Sequence, residues 1–152
     1  MTGTLAGLRR AGMDDRGALE ALQRAAYAAN ARIIGRTPIP MEWDYGAVLR
    51  DWEVWLADQD RELAGALILD LRPDDLYIEN LSVAPAAQGS GLGNRLLAAA
   101  EIRAGQLGRD TLRLLTNALL VRNVDWYARK GFAIERIDDD GSRRITHMVR
   151  RL

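Results

Sequence analysis

Between Leu76 and Ala100 the hydrophobic period of the chain changes abruptly, and that change leaves few architectures open. Leu76 to Val83 has the character of a strand, and Pro85 stops it. Gln88-Gly89-Ser90-Gly91-Leu92-Gly93 follows as a glycine-rich turn, and Leu92, Leu96, Leu97 and Ala100 then recur at helical spacing. Glycines let the backbone approach a ligand without a Cβ in the way. The start of a helix adds unpaired N–H groups and the positive end of the macrodipole. Together they make an anion site, and a pyrophosphate suits it best. A plain hinge and cap is the competing reading, but glycines at 89, 91 and 93 exceed what one cap requires. Neither of two familiar phosphate loops fits. No Lys-Ser or Lys-Thr follows the last glycine, and the third glycine of a dinucleotide fingerprint would fall at Asn94.

Around this unit the pattern predicts a short strand over Leu5–Ala11 and a helix from Asp14 or Asp15 to about Asn30. Irregular chain through Pro38 and Pro40 comes next, then a second helix over Trp43–Asp51. Strands are expected over Glu53–Ala57, Leu63–Leu71 and Leu76–Val83, and the helix after the glycine turn ends near Gly108. Thr111–Thr116 reads as a strand and Arg122–Lys130 as a helix closed by Gly131. Two last strands flank Asp139-Asp140-Gly141, a hairpin signal. The order β-α-α-β-β-β-α-β-α-β-β implies an α/β fold, a mixed sheet with helices on both faces. A length of 152 residues fits a single domain, 1–152.

Composition narrows the function classes. The 21 basic and 21 acidic residues cancel, so the surplus of cations that nucleic-acid binding needs is missing. The arginines near the two ends, Arg9, Arg10, Arg143, Arg144, Arg150 and Arg151, read as solvated faces. Without cysteine there is neither disulfide nor thiolate chemistry, and the lone His147 cannot build a histidine-rich metal site, so no metal is expected. No apolar run approaches the roughly 20 residues of a membrane span, and Met1 to Arg10 lacks the apolar core of a signal peptide. A cytoplasmic protein with no membrane partner is the expectation.

Val83-Ala84-Pro85 followed by Gln88, Gly91 and Gly93 resembles motif A of the GNAT superfamily of N-acetyltransferases, Gln/Arg-x-x-Gly-x-Gly/Ala. Tyr127-Ala128-Arg129-Lys130-Gly131-Phe132 is similar to the ending of its motif B. The resemblance implies a mostly antiparallel sheet of about seven strands and acetyl-CoA as cosubstrate. It also implies transfer of the acetyl group to a primary amine of a small molecule or peptide, by direct attack in a ternary complex. The alternative is a non-catalytic acetyl-CoA-binding or sensing module; a homodimer through the terminal strands is also common in the family.

Carried over residue by residue, the resemblance implies that the pyrophosphate rests on the turn from Gln88 through Gly89, Ser90, Gly91, Leu92 and Gly93 to Asn94. The pantetheine arm would add like a strand beside Leu81, Ser82 and Val83, with a bulge near Leu81 and Ser82 opening a wedge. Tyr127 would give a proton or hydrogen bond to the departing thiolate. Asn123, four residues earlier on the same helix face, would contact pantetheine, although the usual family asparagine sits seven residues before the tyrosine, where this chain has Leu120. Lys130 reads better as a charge at a helix C-terminus than as a phosphate ligand. Glu79 is the candidate base, and strict alternation puts it on one face with Tyr77 and Leu81. Acceptor candidates are Ile33, Ile34, Trp43, Tyr45, Trp52 and the segment Arg144 to His147, with Glu42, Asp44 and Glu79 attracting a cation. Trp55 reads as core and His147 as structural.

Overall fold

The structure, a computed structural model, describes residues 3–152; Met1 and Thr2, part of the stretch read above for a targeting segment, lie outside the described residues. The strands are β1 (Thr4–Leu5), β2 (Leu8–Arg10), β3 (Glu53–Gln59), β4 (Glu62–Leu71), β5 (Leu76–Val83), β6 (Thr111–Asn117), β7 (Ala133–Asp139) and β8 (Arg144–Arg151). The helices are α1 (Arg16–Ile34), α2 (Tyr45–Asp51), α3 (Leu92–Gln106) and α4 (Val121–Arg129). All eight strands join one mixed sheet in the order β1-β2-β3-β4-β5-β6-β8-β7. Every pairing is antiparallel except β5 with β6.

Two elements depart most from the sequence reading, the first strand and α1. The first strand is a small hairpin, because Ala6 (φ 51°) and Gly7 (φ 82°) make a two-residue turn that sets Leu5 opposite Leu8. The sheet therefore has eight strands rather than about seven. Arg95 of α3 donates to the carbonyls of Ala6 and Gly7 at 3.2 and 3.0 Å and holds that turn in place. Helix α1 continues past Asn30 to Ile34, where Gly35 takes the left-handed conformation and returns its amide to Ala31.

Alternation along β4 divides the interior into two layers. Leu67 and Leu69 face Leu92, Leu96, Leu97 and Ala100 of α3, with Phe132 and Met148 closing that layer. Ala66 and Ile68 face Leu19 and Leu22 of α1 and Tyr45 and Val48 of α2. The start of α3 lies tightly on the sheet at Gly65, where a Cβ would come within 2.9 Å of Leu92 and 3.1 Å of the Ser82 carbonyl. Farther along, Arg103 of α3 donates to both oxygens of the buried Glu53, at 2.6 and 3.0 Å, and the Trp55 indole donates to the same carboxylate at 2.7 Å. The start of α3 is thus fixed to β4 by close packing at Gly65, while an ion pair holds the body of the helix.

Glu53→Ala should lower stability by about 2–3 kcal/mol, since it strips a charged partner from Arg103 and leaves the buried indole N–H unpaired. Desolvation raises the Glu53 pKa, but the hydrogen bonds of Arg103 and Trp55 and the charges of Arg103 and Arg10 outweigh it, leaving the carboxyl below its ordinary value. The stabilisation is then full above the unfolded pKa of about 4.3 and lost as pH falls through the folded one. Urea unfolding at neutral pH should show the full difference from wild type, and the two proteins should converge in acid.

Candidate active site

The single parallel pairing, β5 with β6, is short. Leu76, Tyr77 and Ile78 register with Leu112, Arg113 and Leu114, and the pairing stops there. Both strands go on, β5 along β4 to Val83 and β6 along β8 to Asn117. From Glu79 onward, one backbone edge of β5 is therefore open, and a wedge separates the two strands.

The cause lies in β5 itself. Ile68 stands opposite Asn80 and Leu69 opposite Ile78, so Glu79 is an extra residue without a partner. The bulge expected near Leu81 and Ser82 is at Glu79, and it reverses the alternation. Ile78 packs in the α3 layer and so do Leu81 and Val83, whereas Asn80 and Ser82 face α1. Glu79 therefore does not share a face with Tyr77 and Leu81 by simple alternation.

Past Val83 a short 3-10 turn over Pro85–Ala87 leads into the glycine segment. Gly89 and Gly91 adopt φ of 81° and 85°, and nothing lies within 4 Å of where either Cβ would stand. These positions want glycine for their backbone angle and not for packing. Ser90 donates its amide to Ala87 and Arg95 donates to Gly91. Among the described residues, the amides of Gly89, Gly91, Leu92, Gly93 and Asn94 find no protein acceptor. They border a cleft of about 570 Å³ whose walls include Leu81, Ser82, Val83, Gln88, Asn123, Trp126 and Tyr127. Of the sequence-predicted cofactor residues, Ser90 alone is outside this lining. Lys130 caps α4 and stacks on Trp126 at 5.5 Å rather than entering the cleft.

A second cavity, of about 280 Å³, lies beyond the wedge. Trp43, Trp52, Ile34 and the Pro38-Ile39-Pro40 segment form one wall, and Glu79, Leu120, Asn117 and Ile145 are on others. Tyr27, Leu81, Asn123 and Tyr127 line both spaces. The Tyr127 ring is braced edge-on by Trp126 at 5.0 Å and Phe132 at 5.5 Å, and the Phe132 amide donates to the Tyr127 carbonyl. That contact gives the Tyr-x-x-x-Gly-Phe spacing its physical sense. Burial, with the charge of Tyr27 second, pushes the Tyr127 phenol well above its ordinary pKa. Burial, then Asp70, raises the Glu79 carboxyl to about 7, against the opposing pull of Arg72.

Several expected acceptor residues are elsewhere. Tyr45 is core, with its hydroxyl donating to Pro40 at 2.6 Å, and Ile33 points outward. Asp44 caps α2, and neither it nor Glu42 reaches the cavity. Arg143 and Ile145 line it, whereas Arg144, Thr146 and His147 do not; His147 bonds to Asp138 and Arg136 on the other side of the sheet edge. Trp55 is buried in the core.

Sequence reasoning missed a buried polar chain under the wedge. Gln23 of α1 donates to Asn80 and to Ser82, both at 3.0 Å, and Asn80 donates to the Tyr27 hydroxyl at 2.8 Å. The signal was there: Gln23 and Tyr27 are four apart on the stripe that carries Leu19 and Leu22, and a buried polar side chain must find a partner. Since Asn80 donates to Tyr27, the Tyr27 proton is free to turn toward the cleft.

Residues 50–134, over half of the chain, match the family described as acetyltransferase (GNAT) domain. The N-acetyltransferase YvbK of Bacillus subtilis (strain 168) is 33% identical over 90 residues, which are 59% of this chain and 56% of that protein. The match thus spans little more than half of the relative's length. PaiA N-acetyltransferase from Thermoplasma acidophilum, solved in complex with coenzyme A, superposes with a TM-score of 0.80 at 20% identity, covering 95% of this chain and 98% of its own. The ribosomal-protein-S18-alanine N-acetyltransferase from Escherichia coli gives 0.76 at 20% identity, covering 99% and 94%. Both likenesses establish the fold.

Gly91→Ala should destabilise the protein by about 1–2 kcal/mol, since its left-handed backbone now carries a Cβ. Gly93→Ala, whose Cβ would meet Trp126 only at an ordinary 3.5 Å, should leave the melting temperature almost unchanged. Thermal unfolding of the two variants side by side checks the contrast.

Proposed function

The chain belongs to the acetyltransferase (GNAT) domain family, and on that premise we propose that it carries the acetyl group from acetyl-CoA to a primary amine by direct attack. One observation carries the reading: Tyr27, Leu81, Asn123 and Tyr127 line both the cleft at the glycine turn and the aromatic cavity, so the two compartments meet between two phenols, of which Tyr127 is the one on α4. A module that only binds the cofactor has no use for the second compartment.

In this reading the diphosphate of coenzyme A rests on the unengaged amides from Gly89 to Asn94 at the positive end of α3. The pantetheine amides pair with the open edge of β5 along Leu81 to Val83, as an added strand would. Asn123, which lines both spaces, stands where that arm turns into the wedge.

The thioester then lies where the strands part, and the amine reaches it from the aromatic cavity. An ammonium of pKa about 10 must first lose a proton. Glu79, with a carboxyl raised to about 7, accepts it, directly or through a water. The amine nitrogen bonds to the carbonyl carbon, the carbon–sulfur bond breaks with its electron pair on sulfur, and the second proton lost by nitrogen balances the one that the departing sulfur takes up. A phenol is protonated at neutral pH, and burial raises the Tyr127 pKa further, so its O–H is available to the departing sulfur.

Tyr127→Phe should reduce kcat by about 10²–10³-fold while calorimetry shows an acetyl-CoA Kd within about threefold of wild type; an unchanged kcat would return Tyr127 to a packing role. For Glu79, the wild-type rate should rise with pH through about 7 as the carboxylate forms. Glu79→Gln should be slowest relative to wild type between that value and the acceptor's own pKa of about 10, converging above it as free amine becomes abundant. A constant ratio from pH 6 to 10 in a thiol-release assay would reject the base role.

A further inference from the structure

From the two charges that face the aromatic cavity we infer that the acceptor is a small zwitterion, an amine whose far end carries a carboxylate. The inference rests on the acetyl-transfer reading for which end of the molecule is acetylated. Among the described residues, Glu79 and Arg143 are the charged residues of a lining otherwise built from apolar, aromatic and neutral polar groups. They lie at opposite ends. Glu79 is at the bulge, level with the last β5–β6 pair, Ile78 with Leu114. Arg143 precedes β8, whose first turn-side pair with β6 is Ile145 with Asn117. From Leu114 to Asn117 the strand advances roughly 10 Å, a span that two long side chains can close to the length of a small molecule.

Arg143 has no carboxylate within ion-pairing distance among the described residues, although acids are plentiful beside it. Those acids are taken. Asp138 holds Arg136 and His147. Asp139 accepts the Gly141 amide, and Asp140 accepts the amides of Ser142 and Arg143 itself. These bonds shape the turn between β7 and β8, and Arg36, just past α1, donates to the Ser142 carbonyl at 2.9 Å and ties the turn across the cavity. The Arg143 backbone is therefore held at the rim by contacts that leave its guanidinium uncommitted.

A guanidinium beside a small apolar space favours a bidentate anion, and a carboxylate matches its fork. The same charge disfavours a second ammonium, and the cavity supplies no second carboxylate to receive one. Polyamines and aminoglycosides fit poorly on that ground. The apolar walls, Trp43 and Trp52 foremost, suit an aliphatic or aromatic body between the two charges.

Three amines that differ at one end test this: 4-(aminomethyl)benzoate, benzylamine and 1,4-bis(aminomethyl)benzene. Each is titrated calorimetrically into the protein, with and without coenzyme A, and assayed for thiol release from acetyl-CoA. The acid should bind at least tenfold more tightly than either other amine and show the highest kcat/KM. Arg143→Gln should bring the acid and benzylamine within about twofold of each other, and Arg143→Glu should reverse the order in favour of the diamine. That reversal is a gain no misfolded variant can give. Equal binding by wild type, no binding of the acid, or a preference that survives in Arg143→Gln overturns the inference. Acid binding without thiol release would instead sink the transfer reading and leave the charge assignment standing, whereas thiol release with all three amines at equal kcat/KM would do the opposite.

Discussion

Everything distinctive about this molecule follows from a parallel strand pairing that ends early. Antiparallel neighbours grip β5 and β6 on their outer edges, so neither strand can follow the other once Glu79 adds a residue to β5. The extra residue twists the strand and spoils the register. In most sheets an unpaired inner edge would be filled or covered. Here it opens to two cavities, bounded on one side by the amides that begin α3 and on the other by Trp43 and Trp52, which flank α2. A backbone edge, a helix N-terminus and an aromatic-lined pocket are brought together by one bulge.

Such an opening in the middle of a sheet needs support from beneath. The chain Gln23–Asn80–Tyr27, with Ser82 on the same Gln23 donor, provides it by tying α1 to the part of β5 that has lost β6. The polar choice is notable because apolar packing would serve the α1 layer elsewhere, as Leu19 and Leu22 do. Hydrogen bonds fix direction as well as separation. Asn80 sets both the orientation of Tyr27 and the slope of the strand immediately after the bulge. The same burial that demands these bonds also shifts the two ionisable groups at the junction, raising the Glu79 carboxyl toward neutrality and keeping the Tyr127 phenol protonated.

Those parts built from backbone were legible in the sequence. The glycine turn, the α3 periodicity and the Tyr-to-Phe spacing on α4 could be read because each constrains residue type at fixed offsets, and the element order followed from period changes. What escaped reading was set by contacts between distant segments. The resemblance implies a bulge near Leu81 and Ser82, but its place at Glu79 has no glycine or proline to announce it; it arises from how β4 and β5 register over a ten-residue strand. The first hairpin hid in a run that strand propensity alone would continue, and only the positive φ at Ala6 and Gly7 divides it. Its neighbours Trp43 and Asp44 point to Tyr45 as a pocket residue, yet its hydroxyl reaches back to Pro40 and the ring packs in the α1–α2 layer.

This division between backbone and side chain also separates the two halves of the candidate site. On the glycine side, recognition needs amides and an open edge, which tolerate change in almost every side chain that does not clash. On the other side, Trp43, Trp52, Glu79 and Arg143 meet from four separate segments, and no local spacing links them. Of these four, Arg143 alone lies on a turn outside the sheet and both core layers, whereas Glu79 forms the bulge and the two tryptophans pack on the α1 layer. The turn that carries Arg143 hangs on Asp139, Asp140 and a single bond from Arg36, so its residues can change without touching either core layer. Charge placed on such a turn can change at little expense to the fold, so under the zwitterion proposal position 143 is where a change of acceptor would cost the structure least.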